Sequence, residues 1–158
     1  MREEQVTKAI LKWLIDNNWE IVCFDFPQSG TGRFLHPNET VEKNKGSINP
    51  DIVAVKNNTC VFFENKDRHY HLDFEKINDL IVYDDYSDAI NELLNGYIIK
   101  HLYYGIGIPE SKFTTSAVAD CELVDFVIGV TADYRIIELY FSEDKISPFT
   151  NTIEDQKY

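Results

Sequence analysis

The chain has 158 residues, of which 44% are apolar and 13% aromatic, and a formal net charge of −12. That length suffices for one domain with a sizeable core, and the composition excludes a globally disordered chain. No apolar run approaches a membrane span, and the charged opening Met1-Arg2-Glu3-Glu4 does not read as a secretory signal. With three widely spaced cysteines (Cys23, Cys60, Cys121) in apolar runs, the expectation is a cytoplasmic protein with reduced, buried thiols.

Residues 3–17 read as a helix, because Val6, Ala9, Ile10, Trp13 and Leu14 fall on one face. Residues 19–26 are β-branched and aromatic and read as a strand, ended by Pro27. Residues 27–50, with Gly30, Gly32, Pro37, Gly46 and Pro50, read as a long loop made basic by Arg33, Lys43 and Lys45. Residues 51–56 and 59–66 read as two strands around Asn57-Asn58, a pair suited to positive φ and hence to a two-residue type I′ turn. Helices follow over 72–82 and 86–95, with Gly96 as the stop. A strand over 97–108 and a second hairpin, 124–130 and 134–141, complete the order. Residues 142–158 read as a polar tail, which leaves 1–141 as a single mixed α/β domain.

The first hairpin carries the chemistry. With Asn57 and Asn58 as the turn, Lys56 pairs with Thr59, and counting outward places Asp51 directly opposite Glu64. Opposed residues of an antiparallel pair share a face, with Cβ atoms roughly 4.5–5.5 Å apart. Two carboxylates so placed repel each other unless a cation lies between them. Mg²⁺ suits the position, since it takes one or two carboxylates and completes its shell with water and phosphate oxygens. Lys66, two residues past Glu64, falls on the same face, where it can contact a phosphate or orient an attacking water.

Asn49-Pro50-Asp51, twelve intervening residues, then Glu64-Asn65-Lys66 resembles the motif of the PD-(D/E)xK nuclease superfamily. That superfamily includes type II restriction endonucleases, Holliday-junction resolvases and repair nucleases. The resemblance covers the first two-thirds of the chain. It implies a restriction-endonuclease-like core, a central mixed sheet flanked by helices in αβββαβ order, here with an added C-terminal hairpin. It further implies Asp51 and Glu64 as Mg²⁺ ligands (Mn²⁺ as substitute), Lys66 as the catalytic lysine, and a helix glutamate, Glu3 or else Glu4, joining the metal. The implied activity is DNA endonuclease, with DNA as partner and a homodimer or second subunit to cut both strands.

Charge complicates the DNA partner. Residues 28–76 are neutral, whereas 77–158 carry −10, and nucleic-acid surfaces are normally basic. The candidate backbone contacts are therefore Arg33, Lys43 and Lys45 of the loop, with Arg68 and His69 after the motif. His69 and His71 also admit a reading as plain surface residues, and Tyr97, Tyr103 and Tyr104 read as strand-core packing. The rival from another class is a non-cleaving interaction module whose acidic half binds a basic protein.

Overall fold

In a computed structural model, residues 1–26, 30–39 and 46–149 are described. Helix α1 (Glu3–Asp16) precedes strands β1 (Glu20–Phe24), β2 (Ile52–Lys56) and β3 (Thr59–Asn65). Helices α2 (His71–Val82) and α3 (Ser87–Leu93), strand β4 (His101–Pro109), helix α4 (Thr115–Asp120) and strands β5 (Phe126–Val130) and β6 (Ile136–Phe141) follow. The six strands form one sheet in chain order. β3–β4 and β4–β5 are parallel, and the other three pairings are antiparallel. The described residues thus form an α/β protein with a six-stranded mixed sheet and four helices. Among the described residues, no helix is long and apolar enough to cross a membrane.

Both sheet faces are covered, which is why β2, β3 and β5 are nearly continuous apolar runs rather than alternating ones. On one face, Val6, Ile10, Trp13 and Leu14 of α1 pack on Ile52, Ala54, Val61, Phe63, Phe126 and Ile128. On the other, Phe74 and Ile77 of α2 and Ile90 of α3 pack on Val53, Val55, Phe62, Tyr104, Ile106 and Val127. Tyr103 and Tyr104 are buried, one on each face, as the strand reading expects.

The hairpin forms as its turn residues dictate. Asn57 and Asn58 adopt φ of 49° and 66°, both left-handed as a type I′ turn requires. The register runs Lys56↔Thr59 to Ile52↔Phe63, which is the expected alignment. The ladder ends there: the Asp51 N–H donates to the Phe63 carbonyl at 3.0 Å, one residue short of a direct Asp51–Glu64 pairing, so Asp51 stands beside the end of the ladder and not in it.

Three readings differ from the structure. The strand expected from residue 97 begins at His101, because Gly96 (φ 98°) and a turn bond from the Tyr97 N–H to the Leu94 carbonyl intervene. Helix α4, capped by the Thr114 hydroxyl, has no counterpart in the sequence reading. The tail expected from residue 142 is anchored as far as Phe149, which is fully buried and packs on Trp13 (5.2 Å), Phe126 (5.3 Å) and Trp19 (5.6 Å). Lys145 adds an ion pair to the buried Asp125. Residues 150–158 lie outside the described part of the chain.

Candidate active site

Parity along the strands decides where the charged side chains point. Phe63 and Asn65 face α1, so Glu64 faces α2, and Asp51, at the end of the facing strand, lies near enough to feel its charge. Asp51 stands just before β2, and its entry is braced. The Asp25 N–H donates to the Asp51 carbonyl (2.8 Å), and Asn49 Nδ2 donates to Asp25 Oδ2 (2.7 Å). The Asp51 carboxylate itself accepts the Asn65 N–H at 2.7 Å, a bond that fixes its orientation toward the end of β3.

Asn65 anchors this strand end to the opposite layer. Its side chain is fully buried and Nδ2 donates to the Thr7 hydroxyl of α1 at 3.0 Å. The close approach requires Gly107 on β4, where a Cβ would run into Asn65 Oδ1 and Ile10. Glu3 lies one helical turn before Thr7, hence on the same side of α1, and reaches over the sheet end to Lys66.

Lys66 Nζ sits among three carboxylates, 3.7 Å from Glu3, 3.7 Å from Glu64 and 4.0 Å from Asp73. Partial burial acts to lower its pKa, but Asp73, Glu3, Glu64 and Asp51 together outweigh this and raise it. The lysine is an ammonium here, a hydrogen-bond donor rather than a free base. Lys76 of α2 lies 3.8 Å from Glu64. Asp73 and Lys76 were not anticipated from the sequence. The signal available was their i, i+3 spacing on the first turns of the helix that follows the motif.

Both central carboxyls are perturbed. Burial, then the nearby charge of Glu64, pushes Asp51 from 3.8 to about 8 against the lowering effect of the Asn65 N–H. Burial also raises Glu64, opposed by Lys76 and Lys66. The cause is visible in the surroundings: Glu64 shares a small pocket with Ile48, Pro50, Phe62, Ile77 and Leu80. Desolvated carboxylates facing each other are a standing electrostatic conflict. A divalent cation between them would relieve it, and two carboxylates match the protein donor count that Mg²⁺ commonly uses.

Glu3 is brought to the site through Lys66, while Glu4 turns aside to Lys8 at 2.8 Å. Among the described residues, no three His, Cys, Asp or Glu side chains gather as a metal-binding group. The contact shown for Glu3 is with Lys66, at 3.7 Å.

The expected DNA contacts are not gathered around this centre. Arg33 is exposed on a groove with Val22, Ala89, Leu93 and Tyr97, beside α3. Lys43 and Lys45 lie outside the described residues. The loop end is fastened by the bridge between Leu35 and Ile48 and by the Tyr86 hydroxyl, which donates to the Gly46 carbonyl (2.7 Å). Arg68 pairs with Asp67 at 3.4 Å and lies over Tyr70. His69 is turned to Asp120 of α4, with Nε2 2.6 Å from Oδ2, rather than outward as a phosphate contact.

Comparisons of the chain with protein-family models, with curated proteins and with solved structures find no match in any of the three. The functional argument therefore rests on the residues and their geometry.

Proposed function

We propose that this protein is a Mg²⁺-dependent endonuclease that hydrolyses phosphodiester bonds in DNA, built on a restriction-endonuclease-like core. The observation that carries the reading is the half-buried pair Asp51 and Glu64, close enough for the charge of one to raise the pKa of the other, with the Lys66 ammonium 3.7 Å from Glu64. Asp51 and Glu64 would hold the cation, with Mn²⁺ able to replace it. Bound there, the cation would supply Lewis-acid polarisation of the phosphoryl group and a lower pKa for an attacking water. The protein's own part is to keep the two carboxylates aligned through the hairpin register and the Asn65 N–H. Lys66 donates to the scissile phosphate or to the water, and Glu3 and Asp73 hold its chain in place. Cutting both strands requires two such sites, which implies a homodimer or a second subunit. A restriction-type enzyme is favoured over a junction resolvase, because the strongly acidic second half offers little surface for a four-way junction.

The same charge, −10 over residues 77–158, favours a second reading, a non-cleaving module that binds a basic protein. The deciding experiment is cleavage of a plasmid and branched-DNA panel with Mg²⁺ or Mn²⁺ by the wild type, Asp51→Ala and Lys66→Ala. Cutting by the wild type that both substitutions abolish supports the nuclease, and the panel separates linear from junction substrates. Cutting that survives both substitutions removes this site from consideration. An inert wild type that also fails to bind Mn²⁺ leaves the interaction module.

A further inference from the structure

Outside the catalytic constellation, the segment that leads from Lys66 into α2 ends in a chain of four titratable side chains. Asp120, the last residue of α4, uses both carboxylate oxygens on imidazoles. His69 Nε2 lies 2.6 Å from one oxygen and His71 Nδ1 lies 2.9 Å from the other. The second nitrogen of His71, Nε2, lies 2.6 Å from Glu75 Oε1. A neutral imidazole carries a single N–H. Two ring nitrogens that both face carboxylate oxygens at hydrogen-bond distance therefore specify the imidazolium.

From this geometry we infer that His71, Asp120, His69 and Glu75 form a proton-dependent tether that fastens the N-terminus of α2 to α4. While His71 is charged, the link runs from the loop through Asp120 and His71 to Glu75. When His71 loses its proton, one of its two bonds is lost and a lone pair faces a carboxylate, so the first turn of α2 is released. That turn carries Asp73 and, next along, Lys76, the groups that face Lys66 and Glu64. The consequence for cleavage, weaker positioning of the site at higher pH, rests on the nuclease reading; the tether does not.

The surrounding charges agree. Hydrogen bonds from Asp120 and Glu75 raise His71 above its ordinary 6.5. Burial acts to raise Asp120, but its bonds to His71 and His69 outweigh that and lower it. The 3-10 turn Cys121–Leu123 also packs on α2; its titratable groups, Cys121 and Glu122, are not among those acting on His71. A cation whose folded pKa is raised contributes stability that is full below its unfolded pKa and lost as pH rises through the folded one. An acid with a lowered pKa loses its contribution as pH falls through that value. The tether therefore holds between the lowered pKa of Asp120 and the raised pKa of His71, and opens on the alkaline side.

The test is NMR titration of the His71 ring in the wild type, Asp120→Asn and Glu75→Gln, with amide hydrogen exchange over residues 71–76, corrected for intrinsic rates. The expected wild-type midpoint lies above that of free imidazole and falls in both variants. Exchange in the first turns of α2 should accelerate above that midpoint in the wild type and be fast at every pH in Asp120→Asn. A wild-type midpoint at the free-imidazole value, or α2 exchange indifferent to both pH and Asp120→Asn, overturns the tether. Glu75→Gln, at an exposed position, keeps the test decisive should Asp120→Asn fold poorly. None of these readouts involves DNA or a divalent cation, so an inactive protein with an intact tether would count against the nuclease alone.

Discussion

Replacing Asp51 by Asn should make the cation-free protein more stable, and the size of the gain follows from the site. In the fold the Asp51 carboxyl titrates at about 8 against an ordinary 3.8. At pH 7 it is therefore protonated when folded and ionised when unfolded. Taking up that proton costs about 1.4 kcal/mol per pH unit over roughly three units, or about 4 kcal/mol. The sign is that of a carboxyl raised in the fold: stability is highest below the unfolded pKa and is lost as pH rises through the folded one. Asparagine escapes this cost, and its side-chain oxygen can still accept the Asn65 N–H. Urea denaturation in EDTA should show Asp51→Asn about 4 kcal/mol more stable at pH 7, a rise of about 10 °C in Tm for a chain of this length. The gap should shrink to about 1–2 kcal/mol at pH 5. Adding Mg²⁺ should stabilise the wild type in proportion to its occupancy and leave the variant unmoved. A variant no more stable than wild type at pH 7, or a gap that does not change with pH, would refute the claim that Asp51 is held in electrostatic conflict.

Two further outcomes test the frame that holds the site. Phe149→Ala, which empties a position enclosed by Trp13, Trp19, Phe63 and Phe126, should cost about 3–5 kcal/mol in chemical denaturation; a loss below about 1 kcal/mol would return residues 142–149 to a loose tail. Asn58→Ala, at φ 66°, should cost about 1 kcal/mol and Asn58→Gly almost nothing, and equal effects would mean that the left-handed turn does not set the hairpin register.

The hairpin was legible because its information is local. Asn57-Asn58 fixes the turn, and the turn fixes the register from Lys56↔Thr59 to Ile52↔Phe63 without any knowledge of the rest of the chain, which brings Asp51 to the ladder end next to Glu64. The long helix α1 was legible for a similar reason, since fourteen residues display a full apolar stripe. Helix α4 has six residues and a single buried one, Ala117, too little for periodicity to register. Phe149 is an isolated aromatic in a polar stretch, and its partners lie on α1, β3, β5 and β6 and at Trp19 just before β1. Asp73, Lys76 and Asp120 become functional candidates only when α2 and α4 are packed beside the end of β3. That arrangement depends on contacts between segments as many as 51 residues apart, such as His69 with Asp120.

Asp51 and Glu64 are also the residues hardest to justify by stability. Buried strand ends ordinarily carry apolar groups, as Ile52 and Phe63 do beside them. Two partly desolvated carboxyls close together cost folding free energy at neutral pH, and strongly perturbed groups of this kind concentrate at functional sites. An acidic surface for binding a basic protein needs no such arrangement, because exposed carboxylates serve that purpose without desolvation. The acids of residues 77–158 include many of that exposed kind, among them Glu110, Asp133, Glu143 and Asp144, while Asp51 and Glu64 are set inward against Asn65, Lys66 and Lys76. A site that holds a dication and a phosphate makes use of two desolvated carboxylates and an adjacent ammonium together, and this is the support for the nuclease reading over the interaction module.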